Sequence, residues 1–349
     1  MRCRDWKTLR KSEVRGAIAE LGKWCLIIQM IKKVILLVSV AGAFVNAQVI
    51  TQNFATGPNA FSIEFVEIGN PDNAADTTGA PNPVGSVSYV YNLGKYEISR
   101  DMIEKANMDD ALGITLRDMS GYGGNLSNRP ATGISWYEAA KFVNYLNTST
   151  GYMAAYKFDI NGNFQLWSVG DNGYNSSNQF RNSLAKYVLP NTSEWYKGAY
   201  GSPSGYWYKY PTGSDSRPIG VESGTSPNTA VYNITDLGLG VWPAGPSDID
   251  NAGGLSAYGT MAQGGNVYEF TESAFDGVND SPSENREFRG GSWYYNGWGG
   301  LESSINLNGD PASESFMAGF RIAMVPEPSA LSLFAVGLGG LAMMRRRRS

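Results

Sequence analysis

The chain has no histidine, and its two cysteines are Cys3 and Cys25. Everything after Cys25 therefore lacks thiol, disulfide and imidazole. That excludes thiolate and imidazole metal sites, cysteine nucleophiles and Ser/His triads from the body of the chain. Hard cations held by oxygen, such as Ca²⁺, remain open to it. Its stability must come from its core without disulfide staples. Basic residues are also scarce: residues 48–344 carry 15 against 29 acidic ones, a net of −14. Nucleic acid is bound by neutralising phosphates, so no nucleic-acid partner is expected. The charge suits divalent cations, high salt or polysaccharide surroundings.

Two apolar stretches carry no charged side chain. The first, Val34 to Val45, follows a basic Met30-Ile31-Lys32-Lys33 and ends in the small-residue site Val45-Asn46-Ala47. This pattern reads as a secretory signal peptide over 30–47, with Gln48 the first mature residue. Residues 1–29 then read as a gene-model extension ahead of a start at Met30. The second stretch, Leu331 to Met344, lies between Pro326-Glu327-Pro328 and Arg345-Arg346-Arg347-Arg348. Counted from Ser329 it would span about 24 Å as a transmembrane helix, a little short for a bilayer. Its basic end places the tail in the cytoplasm. A lasting anchor and a processing address both fit this run.

Between these ends the chain is rich in Gly and aromatic residues. Residues 48–60 are polar and read as a loose leader. Phe61–Ile68 alternates with period two and predicts a half-buried strand. Val87–Tyr91 and Leu93–Ile98 predict two more strands, bent near Asn92. Ser99 caps a short helix reaching about Asn107. Ser135-Trp136-Tyr137-Glu138 is a capping box opening a helix over Trp136–Leu146, and Asn191-Thr192-Ser193-Glu194 opens another to Tyr200. Little regular structure is expected beyond it.

Three Gly/aromatic blocks follow: Gly264–Phe270, Phe288–Trp293 and Gly319–Ala323. Glycine permits close backbone approach and positive φ. Irregular buried backbone leaves carbonyls that need partners. A bound cation and plain core packing are both open readings. Tyr206-Trp207-Tyr208 and Trp293-Tyr294-Tyr295 suit either sugar stacking or core.

The order Val-Pro-Glu-Pro, apolar span, basic cluster over Val325–Arg348 resembles the PEP-CTERM sorting signal of Gram-negative bacteria. The resemblance implies export through the inner membrane, transient anchoring there, and cleavage near Pro326, Glu327 and Pro328 by an exosortase. It further implies a cell-surface or extracellular destination and the company of an exopolysaccharide system.

The body resembles the formylglycine-generating-enzyme (sulfatase-modifying-factor) family. The matching blocks are Leu93–Ser99, Gly133–Ala140, Leu189–Trp195, Gly265–Phe270, Arg289–Trp293 and Gly319–Arg321. The resemblance implies one compact α+β domain over 61–324, a variant of the C-type-lectin-like fold, ahead of a sorting tail at 325–349. The family enzyme holds copper on two cysteines, whose positions fall here at Tyr295 and Gly300. Cu(I) needs sulfur ligands, so no copper and no family oxidase chemistry are expected. The family's calcium sites carry over in part. One would use the carbonyls of Ala262, Gly265 and Val267 with the Glu269 carboxylate. The other would use Asn228 and the Thr229 carbonyl, with Asp236 a candidate acid. Asn266 is not an assigned ligand. Glu269 has a second reading, as a buried carboxylate paired with Arg289 or Arg321.

Three functions stay open: a non-catalytic module binding exopolysaccharide, other glycan, matrix or a surface protein; a family enzyme with a changed, cysteine-free activity; and a structural envelope component.

Overall fold

The computed structural model describes residues 48–233, 244–294 and 300–326. The readings at 1–47, Asp236, Tyr295, Glu327, Pro328 and the run 331–344 with Arg345, Arg346, Arg347 and Arg348 lie outside them. Among the described residues no helix is long and apolar enough to cross a membrane.

In chain order come β1 (Val49–Phe54), β2 (Phe61–Ile68), β3 (Tyr91–Gly94), α1 (Arg100–Asp110), α2 (Trp136–Thr148), β4 (Lys157–Phe158) and β5 (Phe164–Gln165). Next are β6 (Tyr187–Val188), α3 (Thr192–Tyr200), β7 (Ile219–Gly220), β8 (Thr229–Ala230) and β9 (Tyr268–Ala274). β10 (Arg286–Arg289), β11 (Leu307–Gly309), β12 (Ala318–Gly319) and β13 (Ala323–Met324) complete the series. One sheet has the order β1-β2-β3-β13-β6 and a second β11-β10-β9-β12. Long loops join short elements, as the α+β expectation requires.

The local signals place the helices. The Ser99 hydroxyl accepts the Met102 amide at the start of α1. Full capping boxes open α2, from Ser135 and Glu138, and α3, from Asn191 and Glu194. Each such cap stabilises its helix by roughly 1 kcal/mol. α2 then buries Trp136, Ala139, Ala140, Val143 and Leu146 on one face. Trp136 lies beneath the Arg286 guanidinium, 4.5 Å from ring to cation, and its indole N–H donates to the Thr271 carbonyl at 2.9 Å. The helix is thereby fixed against β9.

Two expectations need correction. Residues 48–60 are no loose leader: β1 pairs with β2 over its whole length, from Val49↔Val66 to Phe54↔Phe61. Phe54 is buried and stacks on Phe61 at 5.4 Å. Val49 is exposed on the open side of this edge strand while polar Gln52 lies on its inner side, accepting the Tyr187 hydroxyl, so the alternation is broken in both directions. Similarly, Val87–Tyr91 and Leu93–Ile98 are not two strands bent at Asn92: one short strand, β3, covers Tyr91–Gly94, and within it Asn92 faces Glu67 on β2 and Met324 on β13.

Candidate functional site

The three Gly/aromatic blocks meet around Glu269. β9 carries Glu269 between two neighbours, pairing Gly319 of β12 and Arg289 of β10 directly across from it. Arg289 nevertheless sends its guanidinium to Glu287. Arg321, two residues past β12, takes Glu269 instead. Its Nη2 donates to Oε1 and its Nε to Oε2, both at 2.6 Å. The Trp195 indole N–H of α3 adds a third donor to Oε2 at 2.7 Å. Arg321 also donates to the carbonyls of Gly94 at 2.8 Å and Met261 at 2.7 Å. One guanidinium thus ties both sheets to the turn before β9. Parallel N–H···O pairs of this kind are among the stronger side-chain hydrogen bonds.

The turn itself runs through left-handed backbone at Ala262, Gly265 and Asn266. Gly265 has φ +88°, and a Cβ there would lie 2.4 Å from the Val231 carbonyl oxygen. Glycine is required on both counts. Asn266 packs with no exposure. Its Nδ2 donates to Glu97 at 2.5 Å, and its Oδ1 accepts the Ser247 amide at 2.7 Å. The Val267 amide donates to the other Glu97 oxygen at 3.2 Å. Burial, and then the neighbouring Glu269 charge, raise the Glu97 carboxyl well above the ordinary range. Asn266, unassigned from sequence, is therefore a clamp on a second buried acid.

These contacts settle which buried partner Glu269 has: the salt bridge is to Arg321. The fit to Ca²⁺ is partial. The turn brings Ala262, Gly265, Val267 and Glu269 together, but the carboxylate already receives three N–H donors. At the second expected site the Asn228 carbonyl accepts the Ile219 amide, and the Thr229 carbonyl accepts that of Gly254. The Asn228 side chain accepts the Thr212 hydroxyl at 2.8 Å. Among the described residues no group of three or more acidic side chains gathers to hold a metal.

Of the two positions expected for the family cysteines, only Gly300 is described, and it offers no side chain. It lines an apolar cleft of about 410 Å³ between Tyr268, Phe270, Phe288, Leu307 and Met317. The paired aromatic triplets divide between core and surface. Trp293 is buried and stacks edge-on to Tyr294, and Trp207 packs on Tyr196. Tyr206 stays half exposed, its hydroxyl on Asp215.

A second buried charge network leaves no local pattern in the chain. Arg181 holds Glu194 through two nitrogens at 2.9 Å each, and Glu272 through Nε at 2.7 Å. Tyr89 donates to Glu194 and Tyr156 to Glu272. Burial would raise the Glu194 carboxyl, but the Arg181 charge overrides it and holds the group below its ordinary value. Burial, then the Glu272 charge, push the Tyr156 hydroxyl well up. Glu194 was visible only as a capping residue. Its partners lie 13 and 105 positions away, beyond any local pattern.

Comparison with known proteins agrees with this geometry. The family model for the sulfatase-modifying factor enzyme 1-like domain matches residues 58–325, and that for the PEP-CTERM protein-sorting motif matches 325–348. Among solved structures, Treponema denticola variable protein 1 is similar at a TM-score of 0.53 and 18% identity, covering 79% of this chain and 99% of its own. A structure titled CarF is similar at a TM-score of 0.55 and 17% identity, covering 76% and 98%. At these identities the likeness shows the fold alone. No curated protein matches the chain.

Proposed function

The chain belongs to the sulfatase-modifying factor enzyme 1-like family and carries a PEP-CTERM sorting motif, and on that premise we propose that it is a non-catalytic binding module at the cell surface. The sorting motif marks export and exosortase-dependent delivery to the surface of a Gram-negative bacterium. The observation that carries the binding reading is chemical: no cysteine thiolate for copper follows Cys25, and Gly300 stands at one of the two positions expected for the family cysteines. Methionine thioethers are no substitute for the thiolate pair that the family chemistry implies. What the fold retains is a frame in which buried Glu97, Glu194, Glu269 and Glu272 are all hydrogen-bonded, with clefts on its surface. Its ligand class is glycan, protein or matrix, in keeping with an exopolysaccharide system.

A copper-dependent conversion assay on a Cys-x-Pro-x-Arg peptide tests this reading. No turnover above background is expected, whereas turnover would restore the enzyme reading. Calcium is a separate proposal, resting on the carbonyls of Ala262, Gly265 and Val267 beside Glu269, and on Asn228 and Thr229. Millimolar Ca²⁺ should raise the melting temperature and a chelator lower it. Indifference to both would leave the Arg321 pair as the sole charge partner of Glu269.

A further inference from the structure

A cleft of about 650 Å³ opens beside the start of α3, lined by the loops at 175–181 and 273–280 and by Pro81 and Pro83. Its volume lies within the roughly 300–1,000 Å³ of small-ligand sites. Resting on the binding-module reading, we propose that this cleft is the ligand site and that it takes an uncharged saccharide.

Many of its lining residues carry amide, hydroxyl or carboxylate groups, the groups that exchange hydrogen bonds with a polyol. The charge balance narrows the class. Among the described residues Arg181 is the one cationic residue in the lining, and its guanidinium is already committed to Glu194 and Glu272. Asp276 and Asp280 line the same space, and the Glu287 carboxylate there is already paired with Arg289. A uronate, sulfate or phosphate entering here would meet carboxylates and no free cation. A neutral sugar carries no such penalty.

Shape adds to this. Phe275 lines the cleft and is 43% exposed. An exposed ring offers a flat apolar surface to the C–H face of a pyranose. The floor is also fixed before any ligand arrives. Asn178 donates to Glu272 at 2.5 Å, and Asn279 donates to Asn178 at 2.8 Å, locking the two loops together. The Asn279 Oδ1 in turn accepts the Ala274 amide at 2.9 Å. A site ordered in advance loses little entropy on binding.

The test is calorimetric titration of the purified protein with neutral oligosaccharides (cello-, malto-, xylo- and N-acetylated chito-oligomers) and with acidic ones from alginate and polygalacturonate. Neutral oligomers should bind and acidic ones should not. Phe275→Ala should weaken binding roughly tenfold, the worth of one stacking ring. Asp280→Ala, at an exposed position, should weaken it as well, and both variants should keep the parent melting temperature. Binding of acidic oligomers, or of none in the panel, would overturn the ligand class. Neutral binding unchanged by both substitutions would overturn the cleft while leaving the binding module standing. The binding module itself fails only on the peptide-conversion assay.

Discussion

Arg321 meets Glu269 through two N–H···O bonds of 2.6 Å across 52 positions of sequence, and neither side chain is exposed. A buried pair of this kind need not add net stability, but removing one partner strands the other charge. Glu269→Gln or Arg321→Met should each cost about 3–5 kcal/mol in urea unfolding. The double variant should cost clearly less than the sum, since the two share one interaction. Additive losses would mean that the pair is not coupled.

Asn266 combines a left-handed backbone, φ +59°, with hydrogen bonds to Glu97 and Ser247. Asn266→Ala should therefore cost about 2–4 kcal/mol, from the strained conformation and the lost partner of a buried acid. A loss below 0.5 kcal/mol in the same unfolding measurement would contradict that role.

Lys197 is buried on α3 and donates to the Asn70 carbonyl at 2.8 Å. Burial pushes its ammonium down to about 8 from the ordinary 10.5. The folded state thus releases its proton first, so stability rises with pH between these two values. Below pH 8 the full cost of the buried charge remains. Relative to Lys197→Met, the parent should gain on the order of 1 kcal/mol from pH 8 to 10, allowing for solvent screening. Thermal unfolding of both proteins across that window would show a constant difference if the lysine did not titrate there.

Replacing Pro326, Glu327 and Pro328 with alanine should leave the protein in the inner membrane. Fractionation and intact mass would read this. A variant recovered at the surface with the parent mass would show that the triplet is not the sorting address.

What could be read from sequence was local. Ser135 with Glu138, and Asn191 with Glu194, declare their helices within four residues, and Phe61–Ile68 declares a strand by its own alternation. Blocks shared with the family placed Glu269 and Arg321 in one domain but could not choose between Arg289 and Arg321. In the ladder Arg289 is the nearer partner, and only the turn of its side chain toward Glu287 leaves Glu269 to the other. β1 is not legible because exposed Val49 and inward Gln52 break its alternation. The Arg181 network escaped because each acid already had a local explanation or none.

β13 lies between β3 and β6 in the five-stranded sheet, and the Val325 amide still donates to the Lys186 carbonyl at 3.0 Å. The sorting signal begins at that same residue. Handle and keystone are therefore adjacent, with no slack between them. A cut beyond Pro326 would leave the sheet whole. A cut a few residues earlier would pull out an inner strand, so release and structural integrity are separated by the length of a single dipeptide.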